Sequence, residues 1–259
     1  MAAELLSTSE GMTMVLTISN PEHRNALGPE IYAAGVEALN AAESNPDVRS
    51  VVITGEGAVF SAGGNLQRLL ANRQHPPEFQ ARSIEGLHNW IEVIRTFPKP
   101  VIAAVEGTAA GAGFSLALAC DFVVAANNAV FVMAYSNIAL SPDGGGSWSL
   151  ARALPRPLVN ELLMCGERIG AARLHLLGLI NRVAEPGRAL QGALEWADRI
   201  NQRAPNAMAS IKELVNEAST TTLSQHLALE RDHFVRNLHH ANAGIGISAF
   251  LDKSKPRFM

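Results

Sequence analysis

The sequence predicts an α/β fold made of strand–helix–strand crossovers and closed by a helical stretch at its C-terminal end. Three observations carry that expectation. Short β-branched runs, "MVLTI" (14–18) and "RSVVITG" (49–55), flank a helical pattern, "PEIYAAGVEALNAAES" (29–44). Further apolar runs alternate with small-residue turns between 99 and 134. After residue 150 the texture becomes almost continuously helical. Alternation at this spacing is what parallel strands joined by crossover helices produce.

Each element has its own reason. The helix over 29–44 has Pro29 in its first turn, where a missing N–H costs nothing, and Ile31, Val36 and Leu39 among its apolar positions. "KPVIAAVEG" (99–107) reads as a buried strand bounded by proline and glycine, and "DFVVAA" (121–126) and "AVFVMA" (129–134) as two more. "ANRQHPPEFQAR" (71–82) is the most polar interruption and reads as a mobile loop. From 156 to 186 the pattern is helical with one short strand at "NRVAEP", and three helices follow within 188–240. In the last of them Leu223, Leu227, Phe234 and Leu238 share an apolar face. A core over 1–190 and a helical region over 191–259 are expected, without repeats or a low-complexity linker.

Composition narrows the function. The 259 residues are 47% hydrophobic and 17% charged, enough for a sizeable core. A net charge of -3 gives no basic excess for nucleic acid or an anionic membrane surface. Cys120 and Cys165 lie in apolar surroundings without metal-ligand or CxxC spacing, so no metal site is expected. The first twenty residues lack a basic start and an apolar core, and no apolar run would span a bilayer. A soluble cytoplasmic protein with no membrane or nucleic-acid partner is the expectation.

Two glycine-rich turns and one acid hold the chemistry. "VFSAGGNLQRL" (59–69) and "VEGTAAGAGFSLALACDF" (105–122) each lead from a strand into a helical pattern. Such turns either let helix and strand pack closely or leave backbone N–H groups free to bind an oxygen. Neither has the context of a dinucleotide-binding or P-loop motif. In "MAYSNIALSPDGGGSW" (133–148) Asp143 is the one acid, directly before three glycines. It either caps the helix that follows or works as a base in an apolar pocket. Two N–H donors facing one carboxylate would suit enolate chemistry.

The motifs "HRNAL" (23–27), "FSAGGNL" (60–66), "KPVIAAVEGTAAGAGFSLALACDF" (99–122), "SPDGGG" (141–146), "CGERIGAARLHLLGLINRV" (165–183) and "SAFLDKSKPRF" (248–258) resemble those of the crotonase, or enoyl-CoA hydratase/isomerase, superfamily across nearly the whole chain. The resemblance implies a spiral of ββα units with a C-terminal helical region that makes subunit contacts, in a homotrimer or dimer of trimers. It implies an acyl-CoA thioester as substrate and no separate cofactor. Its two oxyanion donors fall on the N–H groups of Gly64 and Ala112. The CoA and acyl contacts fall on Arg24, Ala26, Ala62, Leu66, Tyr135 and Leu140, with Phe250 and Lys253 reaching the CoA of their own or an adjacent subunit.

The departures from that pattern set the expected reaction. Where hydratases of the family carry two glutamates, this chain has Ser115 and Tyr135. Asp143 matches the acid of isomerases and of aryl-CoA dehalogenases. A Δ3-Δ2-enoyl-CoA isomerase is therefore expected, with Asp143 as the single base and an apolar wall including Tyr135, Leu140 and Phe114. Three alternatives stay open: a dehalogenase-like hydrolase with Asp143 as nucleophile, a hydratase with an atypical site, and a non-catalytic acyl-CoA-binding protein. His88 falls where the dehalogenases activate water, although it reads equally as a helix-surface residue. Phe60 and Trp148 read as core and pocket wall.

Overall fold

The computed structural model describes residues 3–259. β1 (Glu4–Glu10) and β2 (Thr13–Ser19) form an antiparallel hairpin around Gly11. α1 (Pro29–Ser44) occupies the range its periodicity predicts and leads to β3 (Ser50–Gly55), a strand buried at every position. α2 (Leu66–Asn72) and α3 (Pro77–Thr96) follow. They correct the expected loop over 71–82: only a four-residue turn separates the helices, and Pro76 and Pro77 sit at the start of α3, where they cost no intrahelical bond.

Two turns of a spiral come next. β4 (Val101–Val105), β5 (Thr108–Ala110) and α4 (Ala112–Ala119) make one ββα unit, and β6 (Phe122–Ala126), β7 (Val130–Val132) and α5 (Gly146–Ala153) make the next. The first strand of each unit joins a six-stranded sheet ordered β1-β2-β3-β4-β6-β9, parallel beyond the hairpin. The second strand of each joins a small three-stranded sheet, β5-β7-β8. The chain continues through α6 (Arg156–Met164), β8 (Arg168–Gly170), α7 (Ala171–Leu176) and β9 (Arg182–Ala184). It ends in α8 (Ala189–Asn201), α9 (Pro205–Glu217), α10 (Leu223–Leu238) and α11 (Ala241–Leu251). The crotonase-type spiral is thus present in this chain, together with three strands, β1, β5 and β8, that local pattern does not announce.

The core lies on both faces of the six-stranded sheet. Val52, Ile102, Ala104 and Val124 face α8 and meet Ala193 and Ala197. Their neighbours Val51, Ile53, Val101, Ala103 and Val105 pack on the other side among Leu39, Trp90 and Ile94 of α1 and α3. Continuous Val/Ile runs are what a parallel strand covered on both faces requires. α8 crosses the expected boundary at residue 190, lies mostly in the stretch 191–259 and packs on this core, which leaves α9–α11 as the outlying part. α9 is tied back by Lys212, whose ammonium donates to Asp121 Oδ2 at 2.7 Å and to the Ile94 carbonyl at 2.8 Å. Asp121 also accepts the Val101 N–H at 2.8 Å.

Candidate active site

The glycine turns are stitched together by main-chain bonds. The Ala62 N–H donates to the Arg24 carbonyl, Leu27 N–H to Gly63, Ser61 N–H to Thr108 and Ala110 N–H to Ser61, at 2.7–3.1 Å. Asn25 adds its side chain, donating to the carbonyls of Glu56 and Val59 at 2.9 and 2.7 Å. Arg24 and Asn25 both take left-handed backbone, φ 53 and 57, so "HRNAL" turns sharply under the first glycine loop. Gly63 is required there: its φ is +85, and a Cβ would lie 2.5 Å from the Ala110 carbonyl oxygen and 3.2 Å from the Ala112 nitrogen. The second glycine loop therefore presses directly against the first.

This close approach brings Gly64 and Ala112 into one cavity of about 450 Å³. Ala112 opens α4, so its N–H has no intrahelical acceptor. Among the described residues neither N–H enters a turn, loop or cap bond. The same cavity is lined by Ala62, Leu66, His88, Tyr135, Leu140 and Asp143. Among the lining residues Asp143 is the one carboxylate.

Asp143 lies in the loop before α5, but its side chain caps nothing. The N-cap of α5 is Gly145 and receives no side-chain bond. The carboxylate instead accepts the Tyr135 hydroxyl on Oδ1 at 2.5 Å. Oδ2 has no donor among the described residues. The Asp143 carbonyl accepts the Ser115 hydroxyl at 2.9 Å, so Ser115 holds the loop on α4. Burial, then the charge of Asp143 and the bond to it, push the Tyr135 phenol well above the ordinary tyrosine range. It remains a hydrogen-bond donor.

Other predicted positions lie apart from the cavity. Arg24 and Ala26 are in the turn beneath it and are not among its lining residues. Phe250, 84% exposed on α11, and Lys253 just after it also lie outside the lining. Two wall assignments are corrected. Phe114 is buried in the core against Phe131, because its position on α4 faces the sheet rather than the opening. Trp148 is exposed on the outer face of α5, with the guanidinium of Arg152 over its ring at 3.9 Å and that of Arg95 at 4.8 Å. Phe60 is core, as its apolar context suggests.

Tyr32 is a cavity residue that no sequence motif marks. It lines the cavity from α1 and is 6% exposed. Burial, followed by the nearby charge of Asp143, raises its phenol to about 12. Arg68, which also lines the cavity and pairs with Glu30 of α1 at 3.5 Å, carries no signal of its own either. On α1 Tyr32 follows the apolar rhythm of a core residue, so no local signal separates it from Ile31. Among the described residues no group of three or more His, Cys, Asp or Glu side chains could hold a metal ion, and no helix is long and apolar enough to cross a membrane.

The model of the enoyl-CoA hydratase/isomerase family matches residues 8–259. The chain is 36% identical over 255 residues to the 1,2-epoxyphenylacetyl-CoA isomerase of Escherichia coli, covering 98% of this chain and 97% of that protein. It is 33% identical to the carnitinyl-CoA dehydratase of Salmonella typhi, over 99% of this chain and 98% of that one. Among solved structures, an enoyl-CoA hydratase from Polaromonas sp. JS666 is 75% identical, with a TM-score of 0.98 over 99% of this chain and 100% of the other. Subunit I of an enoyl-CoA hydratase from Geobacillus kaustophilus is 31% identical, with a TM-score of 0.92 over 99% and 98%.

Proposed function

The chain belongs to the enoyl-CoA hydratase/isomerase family, and from that premise we propose that it is an enoyl-CoA isomerase that moves a double bond from the 3,4 to the 2,3 position. One observation carries the reading: the cavity between the glycine loops has a single carboxylate among its lining residues, Asp143. Activating water for addition across a double bond uses two acids in this family, whereas shuttling one proton needs one. The thioester oxygen accepts from the Gly64 and Ala112 N–H groups. Asp143 Oδ2 takes a proton from C2, the electron pair moves through a dienolate onto that oxygen, and the same carboxyl returns the proton at C4. The double bond ends between C2 and C3, and the enzyme is unchanged. Tyr135 holds the other carboxylate oxygen, which fixes the base while the proton moves.

The family's acyl-CoA chemistry assigns the rest of the substrate. Arg24, Ala26, Ala62 and Leu66 serve the CoA, with Phe250 and Lys253 contributing from their own or a neighbouring subunit. A homotrimer or dimer of trimers in the cytoplasm fits the exposed apolar residues of α10 and α11. The E. coli relative's named activity supports a ring-derived acyl group as an alternative substrate.

A second reading rests on His88, which lines the cavity with Asp143. In it Asp143 attacks an aryl-CoA carbon, halide leaves, and His88 activates water to release the aspartyl ester. One experiment separates the two. The protein is offered 3-enoyl-, 2-enoyl- and halogenated aryl-CoA thioesters, and double-bond migration, water addition and halide release are followed. Migration that survives His88→Ala is the expected result. Halide release, with an ester trapped on Asp143 in His88→Ala, overturns it.

A further inference from the structure

Tyr32 borders two cavities at once. On one side is the cavity of Asp143, Gly64 and Ala112. On the other is an outward groove of about 480 Å³ between α1 and α3, lined by Pro29, Ala33, Val36 and Gly86 among others. Among the described residues, Tyr32 and Ser83 alone line both. The ring is wedged in place: a Cβ at Gly86 of α3 would lie 3.5 Å from Tyr32 Cδ2, and the Trp90 ring stands behind it with centroids 6.4 Å apart. The phenol end lies toward the inner cavity, where Asp143 and Arg68 act on its charge. Serine is too small to close the gap alone, so the tyrosine ring does most of the closing.

From this placement we infer that Tyr32 is the stop at the far end of the acyl pocket and sets the longest acyl chain the protein accepts. This rests on the reading that the inner cavity takes the acyl group of an acyl-CoA. A chain that fits ends against the ring. A longer one must fold back or displace a side chain held by Gly86 and Trp90. With the ring removed, the cavity opens into the α1–α3 groove, and further methylenes run out along Ala33 and Val36. The ring's bulk performs this role, and its hydroxyl does not contribute to it.

Binding of saturated acyl-CoAs, which cannot isomerise, tests the inference apart from catalysis. Affinity is measured calorimetrically from butanoyl- to hexadecanoyl-CoA for the wild type, Tyr32→Ala and Tyr32→Phe. The wild type should gain affinity with length up to a limit and then lose it. Tyr32→Ala should remove the limit and bind the longest chains at least about tenfold more tightly than wild type, a range that one or two methylenes of fit command. Tyr32→Phe should keep the wild-type profile. Should Tyr32→Ala fail to fold, Tyr32→Leu keeps an apolar side chain with less reach and should shift the limit in the same direction. An unchanged profile in the shortened variants overturns the inference, as does a Tyr32→Phe profile that shifts like theirs. Absence of binding by any acyl-CoA overturns both the inference and the acyl-CoA reading, while a moved limit with no turnover on 3-enoyl-CoA sinks the isomerase reading alone.

Discussion

The sheet core and the outlying helices treat their large apolar residues in opposite ways. In the core, Trp90, Phe60, Phe114 and Phe131 are all but fully buried, and strands β3 and β4 have no exposed position. On α10 and α11, Leu223 is 75%, Phe234 68% and Phe250 84% exposed. A single chain thus completes its active-site scaffold but leaves a greasy face uncovered at its end. The core side chains have already made their contribution to folding. Those of the outer helices have not, and apolar patches of this kind are costly in water.

The largest test of that division concerns chemistry without stability. Asp143 lies on the completed scaffold yet caps no helix, so Asp143→Asn should lower isomerisation by roughly 10²–10⁴-fold. Its unfolding free energy, from urea titration, should change by less than about 0.5 kcal/mol. A large loss of stability with intact turnover would show that the carboxylate belongs to the framework instead.

Next comes the contrast itself. Phe131→Ala, in the core, should cost about 3–5 kcal/mol of unfolding free energy. Phe250→Ala should leave the unfolding of an isolated chain almost unchanged, and in sedimentation it should weaken self-association. Equal costs for the two would erase the distinction between the regions.

Lys212 tests how the outer helices are moored. It is mostly buried and pairs with Asp121 at 2.7 Å, so Lys212→Met should strand that carboxylate and cost about 3 kcal/mol. Chymotrypsin should then cut within α9–α11 before the core. Uniform cleavage would mean that core and tail unfold as one unit.

The smallest effect lies at alkaline pH. The Tyr32 phenol is raised from 10.0 to about 12, so the folded chain holds that proton more tightly than the unfolded one. The corresponding stability is complete below pH 10 and is lost as pH rises from 10 toward 12. It amounts to about 2.7 kcal/mol at most. Tyr135 acts in the same direction. Denaturation midpoints taken at steps between pH 9 and 11.5 should fall less steeply in Tyr32→Phe.

What could be read from the residues divides along physical lines. α1 was legible to its ends because Pro29 marks its start and its apolar spacing has one period throughout. β1 was not, because an edge strand exposes "ELLSTSE" almost entirely and hides behind its polarity. β5 and β8, three residues each, are too short for any pattern to register. The polar stretch 71–82 looked like a loop because the start of α3 faces solvent on most sides. In the cavity, the glycine loops and Asp143 announced themselves by composition. That Tyr135 holds Asp143 was not visible, and neither was the place of Tyr32. Those facts depend on which strand and helix the fold sets beside the loop, and no spacing within one segment encodes them.

The stitching of the glycine loops has a consequence for how such a protein can change over generations. The bonds from Ala62 to Arg24, Leu27 to Gly63 and Ala110 to Ser61 are all main chain to main chain. Beyond Gly63, which must stay small, and the side chains of Asn25 and Ser61, which add bonds of their own, they ask little of side-chain identity. Mutation can therefore rewrite the wall opposite, at positions such as Leu69, Ile84 or Ile138, while the two N–H groups stay where they are. A lineage starting from this chain could alter that wall one substitution at a time and keep the two N–H groups in the cavity at every step.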